Sequence, residues 1–174
     1  MASGLILLFF LAFLAALFLT RARRRMGFGV SGGTWAAIIA GFAIIVLAIA
    51  QAALDRTVAY VQERRQFGKP LIEFQAVQMT LADMVLQVEA ARQLIERAAE
   101  HAGTGLPVPY EVSVAKCTAN EMAKRVSDLA MQLHGGNGYT EEYGIERLHR
   151  DAHGWAIAGG TPAIQSIRIA SEIF

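Results

Sequence analysis

Acidic side chains are missing from nearly the first third of this sequence, where no aspartate or glutamate precedes Asp55. Lysine is missing there too, and the charges before Asp55 are those of Arg21, Arg23, Arg24 and Arg25. Cysteine is all but absent: Cys117 stands alone, which excludes a disulfide within the sequence. Net charge is close to absent as well, at +1, with acids and bases interleaved along the later segments. The electrostatic footprint of a nucleic-acid binder is therefore missing, and no nucleic-acid partner is expected. Neither a phosphate-binding P-loop nor a Gly-x-Gly-x-x-Gly dinucleotide fingerprint occurs. Alternating strand patterns are scarce, which leaves helix as the main local structure.

What is present divides unevenly. The apolar fraction of 54% is high for a soluble protein, and the excess lies before Asp55. At 174 residues the chain has room for one ordinary domain, or for a small domain and a membrane segment. Gly4 to Thr20 is an uncharged run ending at the arginine cluster. A secretory signal carries its positive charge ahead of the apolar stretch, whereas here the charge follows it. The run is near the minimum length for a transmembrane helix, and the arginines would hold the following segment in the cytoplasm. Thr34 to Leu54 is a second uncharged run, long enough to span a bilayer. It reads either as a second span or as the first helix of a following bundle, and the sequence leaves both open. The expected organisation is a hydrophobic anchor and basic loop over 1–33, a second hydrophobic helix over 34–54, and a soluble bundle over 49–174.

The bundle rests on periodicity. Phe74, Val77, Leu81, Met84, Val88, Ala91, Ile95 and Ala98 are spaced alternately by three and four, which lays one stripe along a helix. Gly103, Gly105, Pro107 and Pro109 mark a loop. Val112, Ala115, Ala119, Met122, Val126, Leu129 and Leu133 then repeat the stripe, with Pro109 suited to the helix entry and Gly135-Gly136 to its exit. Two long stripes joined by a short loop pack as antiparallel neighbours. An earlier helix ends near Arg65, and a last one starts at Thr161-Pro162, with Ile164, Ile167 and Ile173 able to face inward. The expected fold is an all-α, four-helix up-down bundle, preceded by one or two hydrophobic helices read as transmembrane.

Four local patterns occur in order: Ile49-Ala-Gln-Ala-Ala-Leu-Asp55; Glu63-Arg-Arg-Gln-Phe-Gly-Lys-Pro70 followed by Phe74-Gln75 and Gln78; Gln132-Leu-His-Gly-Gly-Asn-Gly-Tyr139; and Glu146-Arg-Leu-His-Arg-Asp-Ala152 followed by Gly160-Thr161. Their order and separations resemble the C-terminal helical domain of the acyl-CoA dehydrogenases. The resemblance implies an FAD flavoprotein of fatty acid metabolism, an oxidoreductase that dehydrogenates acyl-CoA thioesters between the α and β carbons in β-oxidation. It also implies an oligomer, because FAD in this family lies between subunits. By resemblance, Arg64 would meet the FAD pyrophosphate and Phe67 would pack by the adenine end. Gln132 and Gly136 match the second FAD segment, and Thr161 matches a flavin-side position. An arginine suits phosphate because its fork pairs with the oxygens, although Arg64 could equally serve a helix end and Thr161 an N-cap.

The match breaks at the base. The family abstracts the α-proton with a glutamate, which in many members directly precedes the Gly-Thr at the start of the last helix. Here the run is Ala158-Gly159-Gly160-Thr161, so Gly159 occupies that position and no catalytic residue is assigned. Some members carry the base on the first helix of the domain, near Ile38 or Ile39 in this sequence, where no acid exists. The backbone N–H of Gly159 could still polarise a thioester carbonyl. The helical and β-barrel domains that precede the bundle in the family do not fit in residues 1–48. The expectation is therefore a partial acyl-CoA dehydrogenase-like flavoprotein, inactive alone, which would meet acyl-CoA only if the missing domains are supplied. The alternative is a non-catalytic, membrane-anchored subunit or structural bundle docking on a full-length acyl-CoA dehydrogenase partner. The expected place is the membrane, with the bundle in the cytoplasm. His149 and His153 are four apart and could share a helix face, but Arg150 stands where a metalloprotease has its glutamate and no third ligand is evident, so no metal is expected.

Overall fold

No proline falls between Gly32 and Lys69, and alanine recurs throughout the stretch, so nothing local interrupts a helix there. The computed structural model describes residues 32–174 and begins with that helix, α1, Gly32–Glu63. At ~1.5 Å per residue it is about 48 Å long. It is long and apolar enough to cross a membrane by length and composition. Along its inward stripe, Ala36, Ile39, Phe42, Ala43, Val46, Ala50, Ala53, Thr57 and Val61 are all buried. Residues 34–54 thus pack as part of the first bundle helix. The Gly4–Thr20 run and the arginine cluster lie outside the described residues.

A two-residue hairpin follows, β1 Arg65–Gln66 against β2 Lys69–Pro70, paired antiparallel in the register Arg65 to Pro70 and Gln66 to Lys69. Phe67 and Gly68 form its turn, both at positive φ (53° and 85°), as tight hairpins require. A short 3-10 turn, Leu71–Glu73, leads into α2, Gln75–Ala102. The expected stripe is there: Leu81, Met84, Val88, Ala91, Ile95 and Ala98 are its buried residues. Gly103 ends α2 at φ 51°, and Pro109 opens α3, Pro109–His134.

Helix α3 differs from a one-stripe surface helix. Its buried set includes Ser113, Lys116, Asn120, Ser127 and His134 beside the expected Val112, Ala115, Ala119, Met122 and Val126, because other helices cover it on several sides, while Leu129 and Leu133 are half-buried. After a helical turn, Gly136–Tyr139, and a 3-10 turn, Glu141–Tyr143, come α4, Ile145–Ile157, and α5, Pro162–Ser171. Side-chain pairs fix the directions. Arg92 Nη2 on α2 donates to Gln51 Oε1 on α1 at 2.7 Å, and Arg125 on α3 pairs with Asp83 on α2 at 3.2 Å. These contacts make α2 antiparallel to both neighbours, so α1 and α3 run the same way. Helix α4 returns antiparallel to α3, its Ile145 buried in the same core as Val61, Met84 and Val126.

Among the described residues the bundle is all-α apart from the hairpin, and α4 adds to the four main helices expected, which are α1, α2, α3 and α5. The expectation for α5 is corrected. Ile164, Ile167 and Ile173 face outward, Ile167 being 66% exposed, and Gln165 is the residue turned in. Gln165 wins the inward place because its amide donates to the carbonyls of Gly159 at 3.2 Å and Gly160 at 3.5 Å. A hydrocarbon in its place would leave those carbonyls without that donor.

Candidate functional site

Helix α1 ends where the peptide N–H of Arg64 donates to the Tyr60 carbonyl at 2.8 Å. The Arg64 side chain is exposed, and its guanidinium has no hydrogen-bond or ion-pair partner among the described residues. Phe67, at the hairpin tip, is 92% exposed. A phenylalanine at positive φ is strained, and its exposed ring lies edge-on to Phe74 with centroids 6.3 Å apart. Lys69 Nζ sits 4.3 Å above the Phe74 ring, so the arm presents both a cation and aromatic faces.

The end of α3 lies against the same region. Tyr60, one turn before Arg64, stacks on the His134 imidazole with centroids 4.1 Å apart and 20° between planes. Its hydroxyl donates to the His134 carbonyl at 3.3 Å and accepts from Asn137 Nδ2 at 3.0 Å. Tyr143 meets the Tyr60 ring edge-on at 5.6 Å. His134 is buried, and burial pushes its pKa down, opposed in part by the bond between Nδ1 and the Ala130 carbonyl at 2.8 Å. The imidazole is therefore neutral near pH 7, with Nδ1 carrying the hydrogen.

The glycines beside it have separate reasons. Gly135 caps α3 at φ 58°. At Gly138 a Cβ would come within 2.9 Å of His134 Cβ and 3.0 Å of the Met131 carbonyl, so close packing demands glycine. At Gly136 a Cβ would meet nothing within 4 Å. Packing within the chain does not demand glycine there, which leaves the backbone open to approach from outside. Gln132 is exposed one turn earlier. An exposed guanidinium, an exposed amide and an open backbone at one bundle end suit a pyrophosphate group.

The turn Ala158–Thr161 forms a second locus. Lys116, fully buried, donates from Nζ to Asn120 Oδ1 at 2.6 Å and to the Trp155 carbonyl at 3.0 Å, and Asn120 Nδ2 donates to the Ala156 carbonyl at 3.2 Å. These two side chains cap the end of α4 from inside the bundle. Burial lowers the Lys116 pKa from 10.5 to about 8. Thr161 accepts from the Ile164 N–H at 3.4 Å as the α5 N-cap. Among the described residues, no carboxylate makes a hydrogen bond or ion pair with this turn. Ile39 is buried among Ala36, Ala98 and Val112, an apolar setting with no acid.

The five residues expected to hold a cofactor fall into two groups. Arg64, Phe67, Gln132 and Gly136 gather at one end, while Thr161 belongs to the turn whose Gly159 lies against Phe42. From Phe42 to Tyr60, α1 rises about 27 Å at ~1.5 Å per residue, so the two groups are far apart within one chain. His149 and His153 lie with centroids 4.9 Å apart, His149 also meeting Ser127 Oγ at 3.4 Å. Tyr60, Lys116, Asn120 and Gln165 escape a reading of the sequence. Lys116 and Asn120 leave a signal, a polar pair four apart inside an apolar stripe, whereas Tyr60 leaves none.

With that geometry in place, comparison with known proteins is specific. The family model for the C-terminal domain of acyl-CoA dehydrogenases matches residues 26–174. A probable acyl-CoA dehydrogenase of Bacillus subtilis strain 168, YngJ, is 46% identical over 131 residues, covering 75% of this chain and 34% of its own length. An acryloyl-CoA reductase (NADH) of Anaerotignum propionicum is 43% identical over 127 residues, covering 73% of this chain and 32% of its own. The solved structure of butyryl-CoA dehydrogenase from Megasphaera elsdenii superposes with a TM-score of 0.80 at 40% identity, covering 84% of this chain and 38% of that one. The chain thus spans about a third of the length of the curated relatives it matches.

Proposed function

Because the chain belongs to the acyl-CoA dehydrogenase family, through that family's C-terminal domain, we propose that it is a flavoprotein subunit that helps hold FAD and supplies no proton-abstracting base from position 159. Arg64 would hold the pyrophosphate, Phe67 would cover the adenine, and Gln132 with the open backbone at Gly136 would complete that end. Thr161 would serve the flavin end of a second cofactor. FAD, when bound, supplies the acceptor for a hydride in this family's oxidation of acyl-CoA thioesters. The observation that carries the reading is the separation of the two groups by about 27 Å along α1. Such a chain offers two half-sites, and each is completed by another subunit: a second copy or a full-length relative.

At the second half-site, this chain's own residues orient and do not transfer protons. Gln165 fixes the carbonyls of the turn, and Lys116 and Asn120 fix those at the end of α4 just before it. That leaves the Gly159 N–H to polarise a thioester carbonyl, an electrostatic contribution without a base. Among the described residues, no carboxylate makes a hydrogen bond or ion pair with the turn at Gly159. The named relatives include a dehydrogenase and a reductase, so both directions of hydride transfer belong within the proposal. We place the chain at the membrane, with the bundle cytoplasmic. The outward face of α1 from Thr34 to Ala48 is uncharged, with Ile44 exposed, and follows the arginine cluster that favours the cytoplasmic side. Purification of the full-length chain with its natural partner should give yellow material with the flavin absorbance bands. A colourless preparation, free of any flavoprotein, contradicts the proposal.

A further inference from the structure

The turn at Gly159 is not an empty place waiting for a side chain. Gly159 holds φ 72°, and a Cβ built on it would lie 2.7 Å from Cγ and 2.9 Å from Cε2 of Phe42, with Cδ2 also in its path. Atoms at such separations overlap, so something must shift. Cγ is bonded directly to the Cβ of Phe42, so it is not the tip of a flexible chain and moves only if χ1 turns and carries the whole ring. Relief would require a new χ1 rotamer for Phe42 or movement of α1, and Phe42 is buried beside Ile39 and Ala43 on the packed face. The ring is also boxed in. Trp155 packs against it at 5.7 Å between centroids, and the Lys116 ammonium faces it at 5.7 Å. Lys116 is in turn held by Asn120 and the Trp155 carbonyl.

We infer that Phe42 determines what position 159 can carry: its ring fills the space in which a carboxylate side chain would be rooted, and a base can stand at 159 only when residue 42 is small. This rests on the reading of position 159 as the family's base position and deepens it. The missing glutamate and the phenylalanine on α1 form one steric unit, so a single Gly159→Glu change would not restore a base.

The test is a double-mutant cycle on thermal unfolding of the full-length chain in mild detergent, comparing wild type, Gly159→Ala, Phe42→Ala and the double variant. Alanine at positive φ is unfavourable whatever residue 42 is, so that cost cancels in the cycle. Gly159→Ala should lower Tm by about 3–8 °C more with Phe42 in place than in the Phe42→Ala background, given the usual couplings between contacting residues. Equal drops in the two backgrounds would overturn the inference. Should Phe42→Ala fail to fold, Phe42→Val completes the cycle with the same reading. The Gly159→Glu pair gives a second arm: Phe42→Ala with Gly159→Glu should be better folded than Gly159→Glu alone, and no improvement also counts against it. Flavin content separates the two levels. Absence of FAD sinks the proposed function and leaves the cycle interpretable, whereas additivity with FAD retained sinks the role of Phe42 alone.

Discussion

Replacing Lys116 with methionine keeps the length of a buried side chain and removes its ammonium. Two acceptors lose their donor, Asn120 Oδ1 at 2.6 Å and the Trp155 carbonyl at 3.0 Å, and both lie inside the bundle. Each buried acceptor left without a partner costs about 1–3 kcal/mol, so Lys116→Met should destabilise by roughly 2–4 kcal/mol once relief of the buried charge is allowed for. Tm should fall by about 5–15 °C for a chain of this size. The pH dependence is the sharper signature. Burial lowers the Lys116 pKa in the folded protein from 10.5 to about 8. Between those values the unfolded chain holds a proton that the folded chain has released, so wild-type stability rises with pH across the window. Methionine cannot titrate. The gap between wild type and variant should therefore widen from pH 8 to pH 10.5 and stay constant below about pH 7. Urea unfolding followed by circular dichroism across that range measures it. A gap that is flat or narrowing with pH would refute the placement of Lys116 as a buried, carbonyl-capping cation.

Tyr60→Phe keeps the stack on His134 and removes the hydroxyl that joins the His134 carbonyl to Asn137. Urea unfolding should register a loss of about 1 kcal/mol, and FAD affinity should weaken because the clasp aligns Arg64 with the glycine segment. Unchanged affinity would show that the clasp is structural only. Gly138→Ala should destabilise by about 1–3 kcal/mol because its Cβ meets His134 and the Met131 carbonyl. Gly136→Ala should leave Tm within about 1 °C, since its Cβ meets nothing, yet reduce flavin content. The opposite pattern, with Gly136→Ala the more destabilising, would contradict the assignment of an open backbone there.

How much is legible in the sequence varies with the physics. The α2 stripe is legible from Leu81 to Ala98 because one face of that helix packs and the other meets water, whereas Phe74 and Val77, at its start, are only half-buried. Helix α3 is legible only in part. Its apolar positions follow the helical period, but Lys116, Asn120 and Ser127 are buried because α4 lies over them, and no periodicity announces a neighbour that distant in the chain. The isoleucines of α5 mislead for a related reason. Hydrophobicity sends them inward, whereas the carbonyls of the Gly159 turn draw Gln165 in, a demand set by backbone direction. Arg64, Gln132 and Gly136 can be named from motif order alone. That they share one end while Thr161 belongs to the Gly159 turn beside Phe42, about 27 Å along α1 from Tyr60, requires the helix packing. Phe42 against Gly159 is invisible from sequence, since the contact joins residues far apart along the chain.

The central claim, that the Arg64 end of the bundle holds FAD, is tested most directly by the flavin content of wild type and Arg64→Ala, each purified with its natural partner. The account predicts flavin in the wild-type complex and FAD affinity weaker by about 10- to 100-fold in the variant, the loss of a charge-assisted pair with phosphate. Equal flavin content and affinity in both, or none in the wild type, would contradict it.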